Sequence, residues 1–326
     1  MRVLSGMRPS GKLHLGHFHG VLENWLKLQE TCECYFFVAD WHALTTEYEN
    51  PGGLKKNILD MAADWLSVGI DPSRSVIFRQ SEIKEHAELH VLLSMLTPLA
   101  WLERNPTYKE QLEEVRDREL HTYGFLGYPV LQTSDIIIYR AGKVPVGIDQ
   151  APHLELAREI TRRFNYLYGE TFPEPQTILT QSPKVLGVDG RKMSKSYDNA
   201  IYLSDPPEVI EKKMLTMMTD PARKRRTDPG NPGICPVYVT FHTLYSNEPV
   251  KEWVRRGCES AGIGCIECKK SVIPEVVKRL TPVREKREGF LKDPDRVSSI
   301  LKKGGEKARE AAMETMLDVR KALSLD

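Results

Sequence analysis

The chain predicts an α/β fold, a doubly wound parallel sheet followed by an all-helical C-terminal domain. Two observations carry that expectation. Five short β-prone runs, at residues 2–7, 35–39, 75–78, 144–148 and 177–180, are separated by stretches of helical spacing, and strands that alternate with helices build parallel sheets. From Pro206 onward the β-prone runs fade and helical periodicity takes over. With 326 residues, 40% of them apolar, the chain is long enough for two domains, expected at 1–204 and 205–326.

The first strand, Arg2-Val-Leu-Ser-Gly-Met7, alternates as a buried strand should, and Val21, Leu22, Trp25 and Leu26 mark a helix over 18–29. Between them lies the turn Pro9-Ser-Gly-Lys-Leu-His-Leu-Gly-His17. At a strand–helix junction the first N–H groups of the helix point outward unpaired and favour an anion. Gly11 and Gly16 let the backbone turn and a flat ligand approach, while His14 and His17, three apart, can both face a phosphate. Taken alone, an ordinary loop with surface histidines fits the same residues.

Ligands of doubly wound sheets sit beyond the carboxyl ends of the strands, where strand order reverses. That rule selects Pro9 to His17, Asp40, His42, Ser81, and Gly147 to Gln150 as site candidates. Residues 85–139, with Leu92, Leu93, Leu96, Leu99 and Leu102, form a helical insertion too long for a crossover, expected to supply a substrate wall or subunit interface. In the C-terminal part helices are expected over 209–218, 273–290 and 296–325, and Asp228-Pro-Gly-Asn-Pro-Gly233 must be a loop. Ala308, Ala312, Met316, Val319 and Leu323 recur at steps of three and four, an apolar stripe that packs on a neighbour.

Composition narrows the function class. The 46 basic and 45 acidic side chains nearly cancel, so any nucleic-acid contact is a local patch. The longest apolar stretch, near 89–102, is broken by Ser94, Thr97 and Pro98 and is too short for a membrane span. Without a charged leader ahead of an apolar run, the expected location is cytoplasmic, where disulfides are rare. Cys32 and Cys34, beside the second strand, read as small buried hydrophobes. The other four cysteines, Cys235, Cys258, Cys265 and Cys268, are confined to the C-terminal part, with one close pair suited to a metal or an iron–sulfur cluster.

Val188-Asp-Gly-Arg-Lys-Met-Ser-Lys-Ser196 follows the last strand as a compact cationic loop between Gly187 and the end of the run. Lys192 and Lys195 alternate with the hydroxyls of Ser194 and Ser196, and the flanking glycines let the loop move. A mobile, doubly positive loop suits a leaving pyrophosphate, whose charge grows during displacement at a phosphorus atom.

The pair His14-Leu-Gly-His17 and Lys192-Met-Ser-Lys-Ser196, in that order, resembles the class I aminoacyl-tRNA synthetases. Gly6-Met-Arg-Pro-Ser-Gly11, Asp40-Trp-His-Ala43, Val144-Pro-Val-Gly-Ile-Asp-Gln150, Thr219-Asp-Pro-Ala-Arg223 and Gly305-Glu-Lys-Ala308 are similar to the tryptophanyl branch and together span most of the chain. The resemblance implies a Rossmann-like catalytic domain that activates tryptophan with ATP and magnesium and transfers it to tRNA, with His14, His17, Lys192 and Lys195 as the catalytic set. It implies ATP contacts from Arg8, Pro9, Ser10, Gly16, His17, Gly147, Ile148, Asp149, Val185 and the loop Lys192, Met193, Ser194, Lys195 and Ser196. For the amino acid it implies Asp135 on the indole N–H, Tyr128 and Gln150 at the α-amino group, and Gln132 and His42 in the pocket. Gln132 and Asp135, three apart on a helical stretch, face the same way. Glutamine is commoner in the family where this chain has Arg8, and methionine where it has Gln132.

A subset of bacterial relatives with a similar four-cysteine pattern carries a four-iron four-sulfur cluster, which makes that the expected occupant of Cys235, Cys258, Cys265 and Cys268, with zinc as the alternative. The relatives are homodimers. Basic residues at 223–226, and Lys278, Arg279, Arg284, Lys286 and Arg287, are candidates for tRNA phosphates, although exposed helix faces explain the second group equally well. Tyrosine is the alternative substrate, because archaeal-type tyrosyl enzymes share both Pro-Ser-Gly-Lys and His-Leu-Gly-His; a nucleotidyltransferase and a synthetase-like tRNA-binding paralogue are the other open classes.

Overall fold

The structure is a computed structural model that describes all residues except 106, 107, 109–120, 148–150, 180–182 and 326. Its centre is a five-stranded parallel sheet: β1 (Arg2–Met7), β2 (Glu33–Val38), β3 (Ser75–Arg79), β4 (Lys143–Val146) and β5 (Gln176–Leu179). The spatial order is β3-β2-β1-β4-β5, so strand order reverses between β1 and β4. The doubly wound fold expected from the sequence is therefore present, with its crevice at the ends of those two strands. Residues 34–38 of β2 are all buried, as befits a strand covered on both faces.

Helices close both faces. After β1 come α1 (Leu15–His17), a π-helical stretch (Phe18–Leu22) and α2 (Glu23–Leu28). The helix expected over 18–29 thus begins three residues early and is widened by a π segment, a local distortion common at functional sites. Then follow α3 (Asp40–Glu47), α4 (Leu54–Val68), α5 (Glu85–Leu96), α6 (Leu99–Glu103), α7 (Tyr123–Ile137) and α8 (Ala151–Tyr168). In the C-terminal part, α9 (Pro207–Thr216), α10 (Glu248–Glu259), α11 (Cys265–Lys292) and α12 (Pro294–Ala322) are the main elements. Helix α11 starts eight residues before its expected position, so Cys265 and Cys268 lie in its first turn.

One apolar cluster lies on each face of the sheet. The first joins Val3, Trp25, Phe36, Trp65 and Ile77 to Val272, Val276 and Leu280 of α11. The second joins Leu4, Phe37, Phe78, Leu89 and Leu93 to Ala308, Ala312, Met316 and Val319 of α12. The stripe on α12 therefore packs on the parallel sheet: a Cβ on Gly304 would lie 1.9 Å from the Ile77 carbonyl oxygen, so the closeness of this helix to β3 requires glycine. A buried ion pair adds to the contact between α11 and α4. Arg287 donates to Asp64 Oδ1 at 2.5 Å and to Asp60 at 3.2 Å, and Asp64 Oδ2 accepts the Leu13 N–H at 3.2 Å. The turn after β1 is thereby tied to a helix some 270 residues later. Among the described residues no helix is long and apolar enough to cross a membrane.

Candidate active site

The turn after β1 forms one wall of the crevice. His14 caps α1: its Nδ1 accepts the Gly16 N–H at 3.1 Å, while the His14 N–H donates to His17 Nδ1 at 3.2 Å. In each ring Nδ1 is an acceptor, so a neutral imidazole carries its proton on Nε2. Burial, and then the charge of Lys195, bring the His14 pKa down to about 4, and burial followed by the His14 and Lys195 charges pushes His17 well below its usual value. Both rings are neutral at pH 7. They offer two N–H donors to a phosphate without adding cationic charge.

The cationic loop closes over that wall. Its base is fixed by antiparallel bridges between Leu186 and Lys192 and between His14 and Tyr202. Met193 is buried, and its N–H donates to the Val185 carbonyl at 3.0 Å; Ser194 caps the short 3-10 turn 195–197. Lys195 reaches across to the turn, where its ammonium donates to the carbonyls of Ser10 (3.1 Å) and Gly11 (3.0 Å) and to Ser10 Oγ (3.3 Å). Burial lowers its pKa to about 8, against the attraction of Asp64 and Glu47 and with the repulsion of Arg8. Carbonyl oxygens are neutral acceptors, so this ammonium is held where an incoming anion can take it over. Lys192 and Arg8 are exposed beside it. Pro9 is buried, and Ser10, Gly16 and Ser196 line the open side.

At the other end of the crevice a polar cluster is sealed inside the protein. Asp135, on α7, has no exposed surface. Its Oδ1 accepts from His86 Nδ1 at 2.5 Å and from Gln80 Nε2 at 2.8 Å; its Oδ2 accepts from the same Gln80 nitrogen at 2.9 Å and from His42 Nε2 at 2.7 Å. Burial alone would raise its pKa. The charge of His86 and the bonds from His42 and His86 outweigh it and hold the carboxyl well below the usual carboxylate range. Asp135 is therefore an ionised acceptor at any working pH. The sheet supplies its partners, since Gln80 directly follows β3 and His42 lies in the first turn of α3 after β2. Asp40 ties these segments together by accepting from the N–H of Ser81 and of Trp41.

Tyr128 lies between the two ends. Its hydroxyl bonds His153 Nε2 at 2.8 Å, and burial pushes its pKa up to about 12 against the charge of Arg8, which is felt by Lys195 as well. Gln132, half-buried, follows on the same helix. Gly147 lies just past β4 at the switch point; Ile148, Asp149 and Gln150 fall outside the described residues.

Gln80, His86, Tyr139 and His153 were not among the sequence candidates. The strand-end rule reached Ser81 and could have reached Gln80 one residue earlier. The two histidines lie on α5 and α8, inside helical patterns where an isolated histidine carries no periodic signal.

The second candidate region is at the start of α11. Arg223 donates to Cys258 Sγ at 3.9 Å and to Cys265 Sγ at 3.8 Å, and the Cys268 thiol meets His242 Nε2 at 3.3 Å. Burial raises the thiol pKa of Cys235, Cys258 and Cys268, the last to about 12, and neighbouring cysteines raise each further, so the four share one neighbourhood. Among the described residues, however, no three Cys, His, Asp or Glu side chains are gathered closely enough to hold a metal ion. Beside the thiols is an open cleft of about 650 Å³ lined by Arg223, Lys224, Arg225, Arg226 and Lys270.

The comparisons with known proteins agree with this geometry. A family model described as tRNA synthetases class I (W and Y) matches residues 1–281. The tryptophan–tRNA ligase of Thermotoga maritima is 53% identical over the whole chain and 99% of its own length, and that of Ralstonia nicotianae is 45% identical over 99% and 98%. The crystal structure of the Campylobacter jejuni tryptophanyl-tRNA synthetase, complexed with ADP and tryptophan, superposes with a TM-score of 0.90 at 34% identity and covers both chains fully. The chain therefore belongs to the class I tRNA synthetases of the tryptophan and tyrosine type.

Proposed function

We infer that the protein is a tryptophan–tRNA ligase: it joins the carboxylate of tryptophan to the α-phosphate of ATP, releases pyrophosphate, and passes the aminoacyl group to the terminal adenosine of tRNA(Trp). The full-length 53% identity to a tryptophan–tRNA ligase carries the reading. Asp135 gives it chemistry, because an ionised, enclosed acceptor is what an indole N–H needs inside an apolar pocket.

In the first step a carboxylate oxygen of tryptophan attacks the α-phosphorus, the bond from that phosphorus to the bridging oxygen breaks, and negative charge collects on the leaving pyrophosphate. No side chain needs to become covalently attached, so rate comes from position and charge. Lys195 exchanges the carbonyls of Ser10 and Gly11 for phosphate oxygens, Lys192 joins it, and His14 and His17 donate from Nε2. ATP enters as its magnesium complex, so the cation arrives with the substrate. Arg8, Pro9, Ser10, Gly16, Gly147, Ile148, Asp149 and Val185 are assigned to ATP, and Tyr128, Gln132, Gln150 and His42 to tryptophan. In the second step a ribose hydroxyl of the tRNA attacks the adenylate carbonyl and AMP leaves.

The division at residue 204 is functional in this reading: 1–204 carries the chemistry and 205–326 reads the tRNA, with the basic cleft at 223–226 facing phosphates. The exposed apolar side chains of the insertion, among them Val91, Met95, Leu99 and Tyr123, support a homodimer. Cys235, Cys258, Cys265 and Cys268 would hold a four-iron four-sulfur cluster, or zinc; the four-cysteine pattern supports this reading, the thiols are neighbours without being gathered at ligating distance, and the group would cross-link three chain segments with no redox step in the reaction.

ATP–pyrophosphate exchange with tryptophan and tyrosine in parallel tests the substrate, and charging of tRNA(Trp) tests the transfer. Exchange with tryptophan alone, followed by charging, is the expected result. Equal exchange with tyrosine, or none with either, would overturn the reading. Iron, sulfide and zinc content of protein purified without air tests the cysteines.

A further inference from the structure

The hydrogen bonds around Asp135 can be counted. A carboxylate offers about four acceptor positions, two on each oxygen. In this structure Gln80 uses one on each oxygen, His86 one on Oδ1 and His42 one on Oδ2. All four are filled by the protein, so an indole N–H can be accepted only if one of those donors yields. Gln80 and His86 are fully enclosed, whereas the His42 side chain keeps 11% of its surface exposed. His42 is thus the donor that can move aside.

What holds the remaining donors is a chain that continues away from the pocket. His86 Nε2 meets the Tyr139 hydroxyl at 2.5 Å, and Tyr139 has no exposed surface. Packed against the Phe78 ring and stacked on that of Tyr35, it cannot turn away. The phenol stays protonated, since burial first and then the Asp135 charge push its pKa well above the usual value. Because a carboxylate only accepts, His86 Nδ1–H faces Asp135 Oδ1, and Nε2 takes the Tyr139 O–H when the ring is neutral or donates to the hydroxyl oxygen when it is charged; in both states the Tyr139 bond holds the ring in that orientation. With the other tautomer a lone pair would face the carboxylate.

We propose that Tyr139 and His86 are positioning residues for substrate recognition: the relay from Tyr139 through His86 fixes one oxygen of Asp135, while the other trades its bond from His42 for the ring N–H of the substrate. The proposal rests on the tryptophan reading and adds to it a fixed half and an exchangeable half on the recognising carboxylate. The trade is close to neutral for a ligand that brings a ring N–H. A ligand without one cannot replace His42 and gains no place on Asp135, which is how a required hydrogen bond discriminates.

Tyr139→Phe keeps the ring and removes the hydroxyl, so it tests the relay with little risk to folding. Expected are a rise of about tenfold in KM for tryptophan, with kcat and KM for ATP unchanged, and a weaker preference for tryptophan over its benzothienyl analogue, in which sulfur replaces the ring N–H. His86→Asn, which retains a donor near Nδ1, should bind tryptophan more tightly than His86→Leu. A general packing defect would instead lower kcat or raise both KM values, and that result, or a wild-type KM for tryptophan in Tyr139→Phe, would overturn the proposal. The wild-type enzyme is the control: failure to use tryptophan at all would refute the substrate reading instead.

Discussion

Asp135 and Lys195 mark the two ends of the crevice, and they are held in opposite ways. Asp135 is fully enclosed and bonded by three side chains from three different elements; Lys195 is partly exposed and rests mainly on two backbone carbonyls of a neighbouring turn. A group that recognises must already point in one direction before the ligand arrives, because reorganisation would cost the affinity it provides. A group that follows a leaving phosphate must be able to change partners, and neutral carbonyls are weak enough to release it. In the proposed function, that difference would separate selection of the amino acid from the chemistry done on ATP.

The largest effect that would break this separation concerns the loop. Lys195→Ala should lower kcat by about 100- to 1,000-fold in exchange assays and leave KM for tryptophan within a few-fold of wild type. A rise in KM for tryptophan of similar size would mean that the two ends act as one.

Arg287→Met tests how the phosphate wall is anchored. It leaves Asp64 buried with its main partner gone, and denaturant titration should show a loss of about 3 kcal/mol. Because Asp64 also accepts the Leu13 N–H, KM for ATP should rise while KM for tryptophan stays put. Equal shifts in both constants would show that the ion pair serves the whole fold and not the turn.

A smaller effect comes from pH. Lys195, with its pKa brought down by burial to about 8, is charged below that pH and neutral above it. The value of kcat/KM for ATP reports the free enzyme, so it should fall as pH rises through about 8. Lys195→Arg should carry that limb to higher pH. His14, with its pKa brought down to about 4, adds no step between pH 5 and 7.

The fold was largely legible in the sequence, and the structure brings together the turn and the lysine loop that the sequence singled out. Five apolar runs with helices between them leave few alternatives to a parallel sheet, and the glycine and lysine positions of the turn and loop are local signals. The buried end was legible only in part. His42 came through the strand-end rule and Asp135 through family likeness, but Gln80, His86 and Tyr139 meet Asp135, directly or through one another, only when β3, α5 and α7 converge. No spacing in the chain encodes that meeting. The docking of α12 on β3 was hidden for the same reason: an apolar stripe states that a helix is buried, not against what.

The separation itself can be measured in one experiment. Steady-state exchange is followed for Asp135→Asn while tryptophan and ATP are varied in turn, so that KM for each substrate and kcat are obtained together. The account predicts a large rise in KM for tryptophan with KM for ATP unchanged. A rise in KM for ATP of the same size, or an unchanged KM for tryptophan, would contradict it.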